Sequence, residues 1–223
     1  MINFCCVYYG NKYHVDYVQT LYNMVQRNLT IPHQFYCFTD HVNMFDKVYG
    51  NIIYKDFPLK GYEGWWNKLQ LFHRDVGLEG VNLYMDLDMV LLKNIDEFAT
   101  YGNDESFSII NDFSTKTVFN SSILKWNNKT ASYIWDEYDT NLSDYVLYPS
   151  DQEVITDLVK GKEFLKVYPD EWTFSYKWYT RTNPKYKQSE QTYEQDKKAK
   201  VAVFHGKPDP HEAKQKWVID NWK

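Results

Sequence analysis

Hydrophobic positions at the start of the chain fall first at strand spacing and then at helical spacing. Residues 2–9, Ile2-Asn3-Phe4-Cys5-Cys6-Val7-Tyr8-Tyr9, make an apolar run the length of one buried strand, which Gly10 and Asn11 end. In residues 14–28, Val15, Val18, Leu21, Tyr22 and Val25 recur at helical spacing, so a helix with one apolar face is expected. Residues 34–40 predict a second strand closing on polar Thr39 and Asp40, and residues 51–54 a third. A helix is expected over 65–75, followed by the long apolar run 81–92. Strand and helix in this alternation predict a mainly parallel sheet with helices on its faces.

Past residue 100 the pattern changes. Residues 106–110 and 117–126 read as strands separated by a turn, and 130–138 and 150–159 as helices, which makes the second half mixed and partly antiparallel. Residues 200–205 predict a last strand, 206–210 a sharp loop and 210–222 a terminal helix. Ser150 stands where it would cap the helix that follows, with acids in the first turn. Residues 182–195, polar and nearly without aliphatic side chains, are the most loop-like. No internal repeat or long linker divides the chain, so one domain over 1–223 is expected, with halves 1–100 and 101–223.

Two carboxylates interrupt the run Val81-Asn82-Leu83-Tyr84-Met85-Asp86-Leu87-Asp88-Met89-Val90-Leu91-Leu92. In a strand, Asp86 and Asp88 would share a face about 7 Å apart. Like charges at that separation on a buried strand are costly unless a cation or hydrogen-bond donors compensate them, and a hard divalent metal such as magnesium or manganese suits oxygen ligands. An isolated pair also serves to cap a turn, so its weight depends on other residues converging there. Ligands of parallel sheets gather at the carboxyl ends of the strands, where Gly10, Asp40, Asp86 and Asp88 all fall.

Composition narrows the classes. An apolar fraction of 43% over 223 residues is enough for a substantial core. The net charge of -5 argues against a protein that coats nucleic acid, and the lysines of 185–200 are interspersed with Glu190, Glu194 and Asp196. Cys5, Cys6 and Cys37 have no zinc spacing and read as buried free thiols. No signal-type start and no membrane-spanning run is visible, so a cytoplasmic setting is the expectation. Aromatic content of 18% suits stacking on sugars or bases, with Trp65, Trp66, Trp172, Trp178 and Tyr179 as candidates.

Taken in order, Val7-Tyr8-Tyr9-Gly10-Asn11-Lys12-Tyr13, Phe38-Thr39-Asp40, Gly64-Trp65-Trp66-Asn67-Lys68-Leu69, Leu83-Tyr84-Met85-Asp86-Leu87-Asp88, Phe119-Asn120-Ser121-Ser122, Pro149-Ser150-Asp151-Gln152 and Phe204-His205-Gly206-Lys207-Pro208 resemble the motif set of a GT-A fold nucleotide-sugar glycosyltransferase, nearest to glycosyltransferase family 8 and its small bacterial and phage relatives. The resemblance runs almost end to end. It implies a Rossmann-like, mainly parallel α/β sheet with a DxD motif, a nucleotide-binding first half and a sugar and acceptor second half. It also implies that Asp86, Asp88 and His205 hold one Mn2+ or Mg2+ ion, which grips the diphosphate of a donor such as a UDP-sugar. Lys68, Gly206 and Lys207 would then attend the donor phosphates, and Tyr8, Gly10 and Tyr13 the base and ribose. Gly10, Asn11 and Lys12 depart from the family's more acidic loop, which bears on uridine specificity. Asp151 and Gln152 match the pair beneath the sugar, with Asp112, Asn120 and Ser121 as sugar or acceptor contacts, and the family outcome is retention at the anomeric carbon.

A haloacid dehalogenase-type phosphatase also carries an apolar strand ending in Asp-x-Asp, but that motif opens its domain, whereas about eighty residues of sheet precede Asp86 here. A noncatalytic nucleotide-sugar binding module would share the donor residues without the chemistry. The acceptor stays open among glycan, small metabolite, protein and modified nucleobase.

Overall fold

The computed structural model describes residues 1–45, 50–179 and 198–223. Its strands are β1 (Ile2–Tyr8), β2 (His33–Thr39), β3 (Ile52–Lys55), β4 (Val81–Met85), β5 (Met89–Leu91), β6 (Phe107–Asn111), β7 (Phe119–Asn127), β8 (Leu165–Val167), β9 (Thr173–Ser175) and β10 (Val201–Val203). Its α-helices are α1 (Asp16–Asn28), α2 (Asp96–Thr100), α3 (Asn128–Thr140), α4 (Leu142–Tyr145), α5 (Asp151–Val159), α6 (Tyr176–Tyr179) and α7 (Lys216–Asn221). Among the described residues, a seven-stranded sheet has the order β3-β2-β1-β4-β7-β6-β8, and a three-stranded sheet the order β5-β10-β9. In the large sheet β7 runs against β4 and β6, while the remaining pairs are parallel.

Both faces of this sheet are covered, which is why β1 reads as a continuous apolar run rather than an alternating one. Ile2, Phe4, Cys6 and Tyr8 face the side packed by Val18, Leu21, Met24 and Val25 of α1. Cys5 faces the other side, where Ile134 and Trp135 of α3, Val154 and Ile155 of α5, and Leu69, Leu71 and Phe72 close the core. All three cysteines are buried free thiols, as expected. A smaller cluster around Val90, Phe174, Ala202 and Phe204 carries the second sheet, and Val218 of α7 seals it.

The structure departs from the sequence pattern in several places. The run 81–92 is not one strand: β4 ends at Met85 in the large sheet, β5 begins at Met89 in the small one, and Asp86, Leu87 and Asp88 form the turn between them. The segment expected as a helix over 65–75 is two 3-10 helices, Gly64–Phe72 and Arg74–Val76. Six consecutive residues, Asn67 to Phe72, are buried, so this segment has no single apolar stripe for a 3.6-residue period to align. The terminal helix is also broken. A 3-10 turn, Pro210–Glu212, is closed by a capping box between Asp209 and Glu212, and Ala213 is extended before α7 starts. Ser150 occupies the N-cap position of α5, but its hydroxyl donates to Glu153 Oε2 at 2.6 Å instead of capping the backbone. The loop-like stretch 182–195, and the lysine-bearing stretch up to residue 197, lie outside the described residues.

Candidate active site

The turn between β4 and β5 sits at the carboxyl end of a parallel strand, and leaving the strand there separates its two acids. The period of two no longer applies at a turn, so Asp86 and Asp88 meet different partners instead of sharing a face. Asp86 accepts a hydrogen bond from the Tyr84 hydroxyl at 2.5 Å and pairs with Lys68 Nζ at 3.1 Å. Asp88 turns toward α1 and accepts a hydrogen bond from the Tyr13 hydroxyl at 2.7 Å. Burial pushes the Asp88 carboxyl up to about 7; the Asp86 charge adds to this, while the Tyr13 hydroxyl and Lys12 oppose it.

Lys68 is the hinge of the second half of the site. The 3-10 helix Gly64–Phe72 buries it, and its ammonium reaches Asp151 Oδ2 at 3.2 Å, Asp86 Oδ1 at 3.1 Å and the Ser121 hydroxyl at 3.1 Å. Ser121 in turn donates to Asp151 Oδ2 at 2.6 Å. Burial pulls the Lys68 ammonium down, but Asp151 and Asp86 outweigh it and leave the group raised and charged. Residues that are distant in sequence thus form one polar network: buried Lys68, Ser121 at the start of β7 and Asp151 at the first turn of α5, with the half-buried Asp86 after β4.

The second sheet delivers His205 to the same turn. β10 pairs antiparallel with β5, Val203 opposite Met89, and the Phe204 N–H donates to the Asp88 carbonyl at 3.1 Å. The His205 side chain is engaged by Ser175, with Nε2 2.5 Å from its hydroxyl, and its ring stacks on Phe113. Among the described residues no three His, Cys, Asp or Glu side chains gather as a metal-holding group. The donor chemistry nevertheless suits a hard cation: two carboxylates leave one turn, one of them buried and opposed by the other's charge, and an imidazole is carried alongside. Lys207 bonds Asp209 Oδ2 at 2.7 Å and Glu212 Oε2 at 3.2 Å, and Gly206 has a φ of 78°.

The first turn borders a cleft of about 580 Å³ lined by Tyr8, Asn11, Lys12, Tyr13, His14, Val15 and Met44, a volume in the range of small-ligand sites. Gly10 holds the turn in a left-handed conformation, φ 61°, and its N–H donates to Asp40 Oδ1 at 3.2 Å. Tyr8 is buried and donates its hydroxyl to the Tyr13 carbonyl, while Tyr13 stacks on Tyr17 with ring centroids 4.6 Å apart.

The sugar-side candidates differ in how they are engaged. Gln152 is half-buried beside Asp151 and has no side-chain hydrogen-bond partner among the described residues. Asn120 is buried; its Oδ1 accepts from the Ser122 N–H, which leaves its amide nitrogen available. Asp112 Oδ1 receives the N–H groups of Ser114 and Thr115 and so shapes its own loop. Of the aromatic candidates, Trp172 packs against Phe98, Tyr101 and Tyr168, and Trp178 lies near His205. The side chain of Tyr179 lies outside the described residues.

Sequence reasoning missed Tyr84, Ser175 and the Lys68–Asp151 pair. Tyr84 stands two residues before Asp86, a spacing that could have flagged it. Ser175 lies in a three-residue strand too short to leave a period, and the Lys68–Asp151 contact joins segments with no pattern in common.

No protein-family model and no curated protein matches the sequence. Solved structures do match it. An active-site mutant of LgtC aligns with a TM-score of 0.66 at 14% identity, covering 98% of this chain and 93% of LgtC. The galactosyltransferase LgtC in complex with donor and acceptor sugar analogues aligns at 0.62 and 16% identity, covering 94% and 89%. The apo form of the glycosyltransferase GlyE of Streptococcus pneumoniae TIGR4 aligns at 0.72 and 14% identity over 99% of this chain; that match spans 61% of the length of GlyE. The mixed α/β architecture described above is the GT-A-type glycosyltransferase fold.

Proposed function

We propose that the protein is a metal-dependent glycosyltransferase that moves a sugar from a nucleotide diphosphate sugar, with a UDP-sugar as the leading donor, to a hydroxyl acceptor with retention at the anomeric carbon. The observation that carries this reading is the meeting of the Asp86–Asp88 turn with the Lys68–Asp151–Ser121 network at the carboxyl edge of the sheet, where parallel-sheet proteins bind their ligands. A fold hosts many chemistries, so these residues, rather than the fold, support the functional reading.

Asp86, Asp88 and His205 would hold the Mn2+ or Mg2+ ion. That ion would supply Lewis-acid stabilisation of the charge that gathers on the departing diphosphate. Lys68 pairs with both Asp86 and Asp151 and so fixes the two acids in place. Lys207 would add a positive charge to the donor phosphates on leaving Asp209 and Glu212, and Gly206 would allow the backbone to approach them. The cleft beside Tyr8, Gly10 and Tyr13 would take the base and ribose. Gln152 would lie beneath the sugar, with Asn120, Ser121 and Asp112 toward its hydroxyls.

The test is release of nucleotide diphosphate from uridine, guanosine, adenosine and cytidine diphosphate sugars with manganese, with and without chelator. Chelator-sensitive release from one donor, with a product whose anomeric proton shows the donor's configuration by NMR, is the expected result. Donor binding without release would leave a noncatalytic binding module, and an inverted product would remove the retaining assignment.

A further inference from the structure

Beside the Lys68–Asp151 pair runs a surface that the donor chemistry does not use. Trp66 stacks on Tyr138 with ring centroids 6.1 Å apart, Tyr138 contacts Tyr62 and Tyr145, and Tyr145 packs edge-on to Tyr148 at 5.4 Å. Tyr138 is buried, and the half-buried Tyr62, Trp66 and Tyr145 pack around it with Tyr148 beyond, so the rings form a strip joined through Tyr138. Its edges carry large apolar side chains in water: Trp65 is 55% exposed, Val146 51% and Leu147 82%. Isolated exposed apolar residues are ordinary, but a contiguous aromatic strip with exposed apolar edges marks a binding surface.

Helix α3, which carries Tyr138, packs against the 3-10 helix of Lys68 and against α5 of Asp151, and both ends of the strip lie close to site residues along the chain. Trp65 lies three residues from Lys68 along a 3-10 helix, roughly 6 Å of rise. Tyr148 lies three residues before Asp151. The charges beside the strip are carboxylates: Asp139 acts on Tyr62 and Tyr138, and Asp157, Glu137 and Asp144 act on Tyr145. Such a fringe repels phosphates and anionic lipid, yet offers acceptors to hydroxyl groups. Aromatic faces with carboxylates alongside are the surface a neutral sugar fits, its C–H face on the ring and its hydroxyls on the acids.

We propose that this strip is a subsite for a neutral oligosaccharide acceptor, and that Trp65, Trp66, Tyr145, Leu147 and Tyr148 hold sugar units beyond the one that receives the transferred residue. The inference rests on the transferase reading and names its acceptor class. It makes an acceptor of several units bind better than a single sugar, because each added unit covers another part of the strip.

The test applies the full chain to a microarray of neutral α- and β-linked hexose and N-acetylhexosamine oligomers of two to six units, followed by titration of any oligomer that binds. Binding that rises with length, and that weakens by about tenfold or more in Trp65→Ala and in Leu147→Asn, is the expected result. Both positions are exposed, so near-ultraviolet circular dichroism should match the wild type. The inference is overturned if no neutral oligomer binds, if both variants bind as the wild type does, or if the variants lose binding to phosphatidylglycerol vesicles instead. Nucleotide diphosphate release by the wild type, measured in parallel, separates the two levels. Release without oligosaccharide binding removes only the subsite, whereas absence of donor binding and release removes the transferase reading.

Discussion

Lys68→Met tests the buried network most directly. The substitution keeps most of the side chain's volume and removes its charge, leaving Asp151, whose side chain is 6% exposed, without its cation. Breaking a buried pair from one side typically costs about 3–5 kcal/mol, because the remaining charge stays desolvated. The unfolding entropy of a 223-residue chain is about 0.5 kcal/mol/K, so the melting temperature should fall by about 6–10 °C. Asp86 is 27% exposed and better solvated, so most of the loss should trace to Asp151. Asp151→Asn in the Lys68→Met background should therefore recover at least about 1 kcal/mol relative to the sum of the single changes. The assay is thermal and urea denaturation of the four proteins in chelator, which excludes any effect of bound metal. A Lys68→Met protein that melts within about 2 °C of the wild type, or a strictly additive cycle, would refute the claim that this pair is a charged, buried contact.

Asp86→Ala and Asp88→Ala should each abolish chelator-sensitive nucleotide diphosphate release while near-ultraviolet circular dichroism stays that of the wild type; turnover at the wild-type rate by either variant would exclude the proposed metal centre. Gly10→Ala meets no atom within 4 Å of the added Cβ, so its cost should be that of the left-handed backbone alone, about 1–2 kcal/mol by urea denaturation. A loss well beyond that would mean the first turn is packed more tightly than its geometry shows.

Much of the fold was legible because its central strands are covered on both faces. That burial writes long apolar runs into β1, β2 and β4, and α1 shows its single buried face at a helical period. The 3-10 helix Gly64–Phe72 was misread because burial on all sides erases the stripe that distinguishes helix types. β8, β9 and α2 escaped because three to five residues hold too few periods to register.

The candidate site divides in the same way. The sequence alone determined the chemistry on offer: two acids in an apolar run, a glycine turn after the first strand, a histidine beside a lysine, and a Ser-Asp-Gln at a helix start. Side-chain type and short-range spacing are local properties, and local properties survive in a sequence. Tertiary structure alone decided which of these groups meet. It placed the sheet change at Leu87, so that Asp86 turns to Lys68 and Asp88 to Tyr13, and it brought Ser121 and Asp151 onto one ammonium. Those contacts join residues 18 to 83 positions apart through the packing of two sheets and three helical segments, and no period in the sequence encodes a distance of that kind.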